Sequence, residues 1–135
     1  MNRTTVFAYQ LLTGISDTAT GTLLIVAPAL TLRMLHLRAS TGALVYLSFV
    51  GAFVFSVGLA CLYGALLVYR EEDRARLEMV WLLTAFSRAS VAVFLMYAIA
   101  AAHLAAGWLT VAAFDASCVV IQAVGLRKNW AAYAR

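Results

Sequence analysis

The sequence predicts an all-α membrane protein, an antiparallel up-and-down bundle of four transmembrane helices forming a single domain over residues 1–135. Three observations carry this. Charged residues are 12% of the chain and hydrophobic ones 64%, with a mean hydropathy of +0.90, whereas soluble domains are about a quarter charged. Four apolar stretches each reach the roughly 20 residues that a helix needs to cross ~30 Å of hydrocarbon. Lipid offers no partner to an open backbone N–H or C=O, so helices are the expected way across.

The first span runs from about Phe7 to Leu30, with the only proline, Pro28, near its end, where it is placed to kink or stop the helix. No cleavable signal peptide is expected, because Asp17 interrupts the apolar run and the span is too long. The second span covers Thr41–Val68, the third Met79–His103 and the fourth Gly107–Leu126. Gly14 and Gly21 lie two turns apart, as do Gly51 and Gly58, and Ala60 and Gly64 have small-x-x-x-small spacing. Such residues let helices approach closely.

Lys and Arg set the orientation. Arg3, Arg70, Arg74, Arg76, Arg127, Lys128 and Arg135 fall at one end of the spans, and only Arg33 and Arg38 at the other. Both termini are therefore expected in the cytoplasm. Tyr69 and Trp81 beside the second loop, and Trp130 and Tyr133 after the last span, are expected at interfacial depth, with the tail "LRKNWAAYAR" as a basic, aromatic anchor on an anionic leaflet. The loop "YREEDRARLE" reads as a solvated turn with the helical ion pairs Glu72–Arg76 and Arg74–Glu78.

Composition and motifs exclude several function classes. The basic residues border apolar spans rather than forming a basic, aromatic-interleaved patch, so no nucleic-acid partner is expected. Cys61 and Cys118 are far apart, each in an apolar run, and read as reduced packing residues. No H-E-x-x-H motif, Gly-rich phosphate loop or arguable catalytic triad is present, so an enzyme is disfavoured. No cofactor and no metal are expected. A bis-imidazole haem would have only His36 and His103, both at span ends, to draw on.

The informative residues are the polar ones inside spans. Thr13, Ser16, Asp17 and Thr20 share helical spacing in the first span, as do Thr84, Ser87 and Arg88 in the third, and Asp115, Cys118 and Gln122 in the fourth. Such stripes are expected to turn inward. Asp17 lies ten residues in from Phe7, Arg88 nine from Met79 and Asp115 eleven before Leu126. These counts place all three at ~15 Å, close to the bilayer midplane. Arg88 and Asp115, on neighbouring helices, are expected to pair directly, with Asp17 joining through the reach of Arg88 or through water. Spans one and three also align, with Thr13, Ser16, Asp17, Leu24 and Ala27 matching Thr84, Ser87, Arg88, Leu95 and Ala98. This pattern fits a two-helix internal repeat. The second and fourth spans share "VGL", Val57–Leu59 and Val124–Leu126.

The stretch "VAPALTLRMLHL" (Val26–Leu37), followed by "FVGAFVFSVGLACLYG" (Phe49–Gly64), resembles small four-helix bacterial membrane proteins of the DoxX-like kind. The resemblance implies a multi-pass protein of the bacterial inner membrane, in a group with some members tied to membrane redox or thiol-stress systems. It carries no catalytic residues onto this chain.

Two functional readings follow. An intramembrane ionisable residue is a functional-site hypothesis by default. In the first reading Asp17, Arg88 and Asp115, with Thr13, Ser16, Thr20, Thr84, Ser87 and Gln122 around them, bind or relay a proton, an ion or the polar head of a small lipophilic molecule. Two acids against one guanidinium leave one acid in excess, a candidate proton acceptor. In the second, the cluster is structural and fixes helix order. The chain is then an accessory subunit of a larger membrane complex or a homo-oligomer, with Tyr46, Phe49, Phe53 and Phe55 available for contact. An accessible opening to Asp17 favours the first reading, and a sealed cluster the second.

Overall fold

A computed structural model describes residues 2–37, 41–71 and 74–130. Arg38, Glu72, Tyr133 and Arg135, invoked above, lie outside the described residues. Among those described, every regular element is helical: α1 (Arg3–Val26), α2 (Pro28–Met34), α3 (Leu44–Tyr69), α4 (Arg74–Ala100) and α5 (Leu109–Arg127). Single 3-10 turns, Thr41–Ala43 and Ala106–Trp108, lead into α3 and α5. Among the described residues three segments are long and apolar enough to cross a membrane, Leu44–Tyr69, Arg74–Ala100 and Ala106–Arg127, and by length and composition they mark this as a membrane protein. At 24 residues α1 matches them in length. Gln10, Asp17 and five threonines between Thr5 and Thr22 dilute its apolarity.

Local chemistry sets the boundaries. Asn2 caps α1 by accepting from the Thr5 backbone N–H at 2.9 Å, satisfying one of the first-turn donors. The helix stops at Val26, short of the expected Leu30. The ring of Pro28 forces Ala27 out of the helical region, to φ −142° and ψ 61°. Pro28 then opens α2 at the position where its missing N–H costs nothing. The last three long segments are also offset from expectation. Those called Thr41–Val68, Met79–His103 and Gly107–Leu126 are helical over Leu44–Tyr69, Arg74–Ala100 and Leu109–Arg127. Arg74 and Glu78 pair at 2.6 Å inside the first turns of α4, so much of the expected loop is helix.

The helix ends show where the glycines went. His36, Glu71, Ala102 and Asn129 take positive φ just after α2, α3, α4 and α5, the left-handed position that glycine usually fills. Leu37 N–H closes back to Leu32 C=O at 2.8 Å in the first of these turns. Six of the eight glycines lie instead within α1, α3 and α5, and Gly42 and Gly107 lie in the 3-10 turns. A Cβ on Gly21 would strike the Phe55 backbone, and one on Gly58 would strike the backbone and hydroxyl of Thr18. Close approach of α1 to α3 therefore requires both.

This contact organises the molecule. α1 lies antiparallel along α3, with Arg3 at the start of one donating to Tyr69 C=O at the end of the other at 2.9 Å. α4 lies antiparallel along α5, with Arg74 donating to Asn129 at 2.8 Å, and α3 also packs on α4. The two pairs share a register. Val6, Gln10, Thr13, Asp17 and Leu24 are buried on α1, and so are Leu77, Trp81, Thr84, Arg88 and Leu95, each 71 residues further on. Gly51, Cys61 and Gly64 on α3 keep the spacing of Ala112, Gln122 and Gly125 on α5, all six buried. Gly64 faces Gln10, and Gly125 faces Trp81, the residue matching Gln10. The "VGL" alignment does not hold in space, since Gly58 faces Thr18 while Gly125 faces Trp81. Ala60 turns away from α1 and lines a shallow groove between α3 and α4.

Trp81 corrects a second expectation. It is fully buried, packed with Val6, Leu67, Val68 and Leu77 rather than held at the interface. Because α4 begins at Arg74, Trp81 lies two turns inside, where Gly125 leaves room for its ring.

Candidate functional site

The ionisable residues of α1, α4 and α5 meet. Arg88 Nη1 donates to Asp115 Oδ1 at 2.8 Å, and Arg88 Nη2 donates to Asp17 Oδ2. The direct Arg88–Asp115 pair is as expected. Asp17 needs no bridging water, because the guanidinium fork presents parallel donors to two carboxylates at once. Phe114 places its ring 5.5 Å from the guanidinium carbon, a cation–π contact across the remaining face.

Access to the three groups differs. The Arg88 side chain keeps 4% of its surface, that of Asp17 9% and that of Asp115 13%. Arg88 and Asp17 are buried, and half-buried Asp115 forms the accessible edge of the cluster. Three formal charges, two negative and one positive, give the ionised cluster an excess negative charge.

The surrounding stripes are partly as expected. Thr13 and Thr84 are buried and equivalent: each donates to the carbonyl four residues back, Tyr9 or Val80, at 2.8 Å. Gln122 Nε2 donates to the Thr84 hydroxyl at 2.7 Å, tying α5 to α4. Ser16 and Ser87, by contrast, are exposed, and Thr20 is half-buried. The buried arc of α1 is centred on Gln10, Thr13, Asp17, Gly21 and Leu24. Positions 16 and 20 sit at its edge, and the same rotation turns Ser87 out of α4. Ser87 instead lines the α3–α4 groove, about 200 Å³ in volume, with Ser56, Thr84 and Phe53. His36 and His103 are exposed, on the turns after α2 and α4, and neither is buried between helices as a bis-imidazole site requires.

Gln10, Tyr9 and Phe114 also belong to this region and are missing from the sequence reading, and Cys61, expected there only as packing, joins them. Tyr9 OH donates to Cys118 C=O at 3.5 Å, and its ring meets Trp81 edge-on with centroids 6.0 Å apart. Cys61 and Cys118 are buried free thiols. Gln10 had a legible signal, since it stands one turn before Thr13 and two before Asp17 on the same stripe. Phe114 had none, because its role depends on where the Arg88 side chain ends.

The chain matches no protein-family model, and no curated protein sequence or solved structure is detectably similar to it.

Proposed function

We propose that this chain is a four-span protein of the bacterial cytoplasmic membrane with both termini cytoplasmic. In this reading α1 crosses with α3, α4 and α5, and Asp17, Arg88 and Asp115 form a mid-membrane site that takes a proton, a small cation or the donor-bearing head of a small lipophilic molecule. One observation carries it: Arg88 and Asp17 are buried while Asp115, bonded to the same guanidinium, keeps an accessible edge. A cluster built only to lock helices gains nothing from a second, partly accessible acid, since each uncompensated charge in lipid costs ~2.5–3.5 kcal/mol on insertion scales. The excess negative charge selects a proton, a cation or an O–H or N–H donor over an anion. The matched registers of α1 with α4 and of α3 with α5 support a two-helix repeat, with the site where its halves meet.

The test is infrared difference spectroscopy of the protein in lipid across a pH series, paired with native mass spectrometry for co-extracted molecules. A carboxyl band that titrates in the wild type and is lost in a stable Asp17→Asn variant is the expected result. A wild type with no titrating carboxyl and no bound molecule, unchanged by Asp17→Asn, makes the cluster scaffolding.

A second reading has its own support. Tyr46, Phe49 and Phe53 are all exposed on one face of α3, the two phenylalanine rings edge-on at 5.0 Å, whereas Phe55 is half-buried with its backbone against Gly21 of α1. Aromatic residues are enriched in interface cores. This face fits an accessory subunit docking in a larger membrane complex, and the DoxX-like resemblance points to a redox one. Copurification from native membranes, lost in a Phe49→Ala/Phe53→Ala variant, tests it.

A further inference from the structure

Two turns from the ionic cluster lies a second polar layer. Gln10 precedes Asp17 by seven residues, Trp81 precedes Arg88 by seven, and Gln122 follows Asp115 by seven on the antiparallel helix. Seven residues advance a helix by ~10 Å and return it to the same face. All three positions therefore fall on the inner side of the molecule at one depth, and all three residues are fully buried.

Their polar atoms are unsatisfied in a consistent way. Gln10 Nε2 and Oε1, Trp81 Nε1 and Gln122 Oε1 have no hydrogen-bond partner, and neither does Arg88 Nε. The layer thus offers N–H donors from Gln10 and Trp81 and carbonyl acceptors from Gln10 and Gln122. An anion would leave the carbonyls unmatched, and a metal cation would leave the N–H groups unmatched. Water both donates and accepts, and buried waters make about three bonds to such groups.

The space between the two layers is polar as well. Thr13, Thr84, Cys61 and Cys118 are buried there, and Gln122 is already bonded to Thr84, four residues before Arg88. Long helical side chains lean toward the N-terminus. Arg88 therefore leans back toward Thr84 and Trp81, and its stem carries the unpaired Nε to that side. Beyond the cluster in the other direction the buried positions of α1, α4 and α5 are Gly21, Leu24, Ala92, Leu95, Ala98 and Ala112, all without a polar side chain. The Thr18 hydroxyl is unpaired but sits tight against Gly58, and buried Thr31 on α2 already donates to Ala27 C=O.

We propose that Gln10, Trp81 and Gln122 form an internal water-binding site, and that this water hydrates the Asp17–Arg88–Asp115 cluster from the side where α1 and α4 begin and from that side alone. The site deepens the proposed function by giving an intramembrane carboxylate a source of exchangeable protons, yet its test reads neither ligand nor activity.

The chain has two glutamines, and both are in this layer. Water-edited solid-state NMR of the full chain in lipid bilayers, with glutamine and arginine nitrogen labels and leucine methyl labels, therefore reads the site directly. Both glutamine amides and Arg88 Nε are expected to receive water polarisation, and the Leu24 and Leu95 methyls are expected to receive none. Glutamine amides that stay dark overturn the water site, even where a carboxyl band titrates and the proposed function stands. In a folded Gln10→Leu/Gln122→Leu variant, Arg88 Nε should lose its water signal. If Arg88 keeps it, the water reaches the cluster by another route and the one-sided connection is refuted. The wild-type spectrum decides the site by itself should the double variant not fold.

Discussion

Arg88→Leu is the most discriminating perturbation of the cluster. The substitution removes both hydrogen-bonded ion pairs at once and leaves Asp17 and Asp115 facing one another across an apolar side chain. Breaking a buried pair by deleting one partner costs ~3–5 kcal/mol. The lost cation–π contact with Phe114 adds ~1 kcal/mol where the guanidinium is this well enclosed. The combined loss is limited by protonation of the stranded acids, so ~3–5 kcal/mol is the expected total, about two to three and a half powers of ten in the folded fraction. Reversible unfolding in mixed micelles, followed by helical circular dichroism, measures it. Asp17→Asn keeps the shape and an acceptor for Arg88, and should cost ~1 kcal/mol. A triple Asp17→Leu/Arg88→Leu/Asp115→Leu variant should recover most of the loss, because apolar replacement of a whole buried ionic set is often neutral or stabilising. If Arg88→Leu lies within ~1 kcal/mol of wild type, the two acids do not depend on the guanidinium for their burial, and the pairing assigned to Arg88 carries no stability.

Three further outcomes follow from the packing. Gly58→Leu should separate α1 from α3 and destabilise by ~1–3 kcal/mol or more, since the added Cβ meets Thr18 backbone that cannot rotate away; a fluorescence distance between residues on the two helices should lengthen. Trp81→Ala should cost ~3–5 kcal/mol in the same unfolding assay, as expected for a buried aromatic at a core rather than an interface. An unchanged midpoint there would return Trp81 to the interface. Arg3→Ala should fray the end of α3, where Arg3 bonds Val68 and Tyr69 carbonyls, by ~1 kcal/mol, read as faster amide exchange at residues 68–71.

Composition and depth made the membrane class and the meeting of Asp17, Arg88 and Asp115 legible, because both rest on counts along the chain. Helix rotation was less legible. Ser16 and Ser87 share spacing with Asp17 and Arg88, but a step of three rather than four moves them across the edge of the buried arc, and one serine hydroxyl at that edge is not sequence-diagnostic. Pro28 was read correctly as a breaker, yet the place of the break depended on Ala27, whose conformation is set by the residue after it. Trp81 reads as interfacial because the sequence places it beside the second loop, whereas α4 begins at Arg74 and carries it two turns inside.

The standing of α1 turns on the same point. Hydropathy averages all faces of a helix, and α1 falls below its neighbours because of Gln10, Thr13 and Asp17. Those residues are buried, whereas Leu12, Ile15, Leu23, Ile25 and Val26 are exposed. The outward surface of α1 is thus largely apolar, with exposed Ser16 and Thr22 among these side chains and the Thr22 hydroxyl bonded back to Thr18 C=O. It resembles that of α4, where Leu83, Phe86, Val93 and Phe94 are exposed around a buried Arg88. An amphipathic helix lying flat on the bilayer would carry its polar face toward water. Here the polar face is covered by α3 along its glycines and is bonded to Arg88. The low mean hydropathy of α1 therefore reflects the site it carries, and the proposed crossing of the membrane by α1 rests on its outward face and not on its mean.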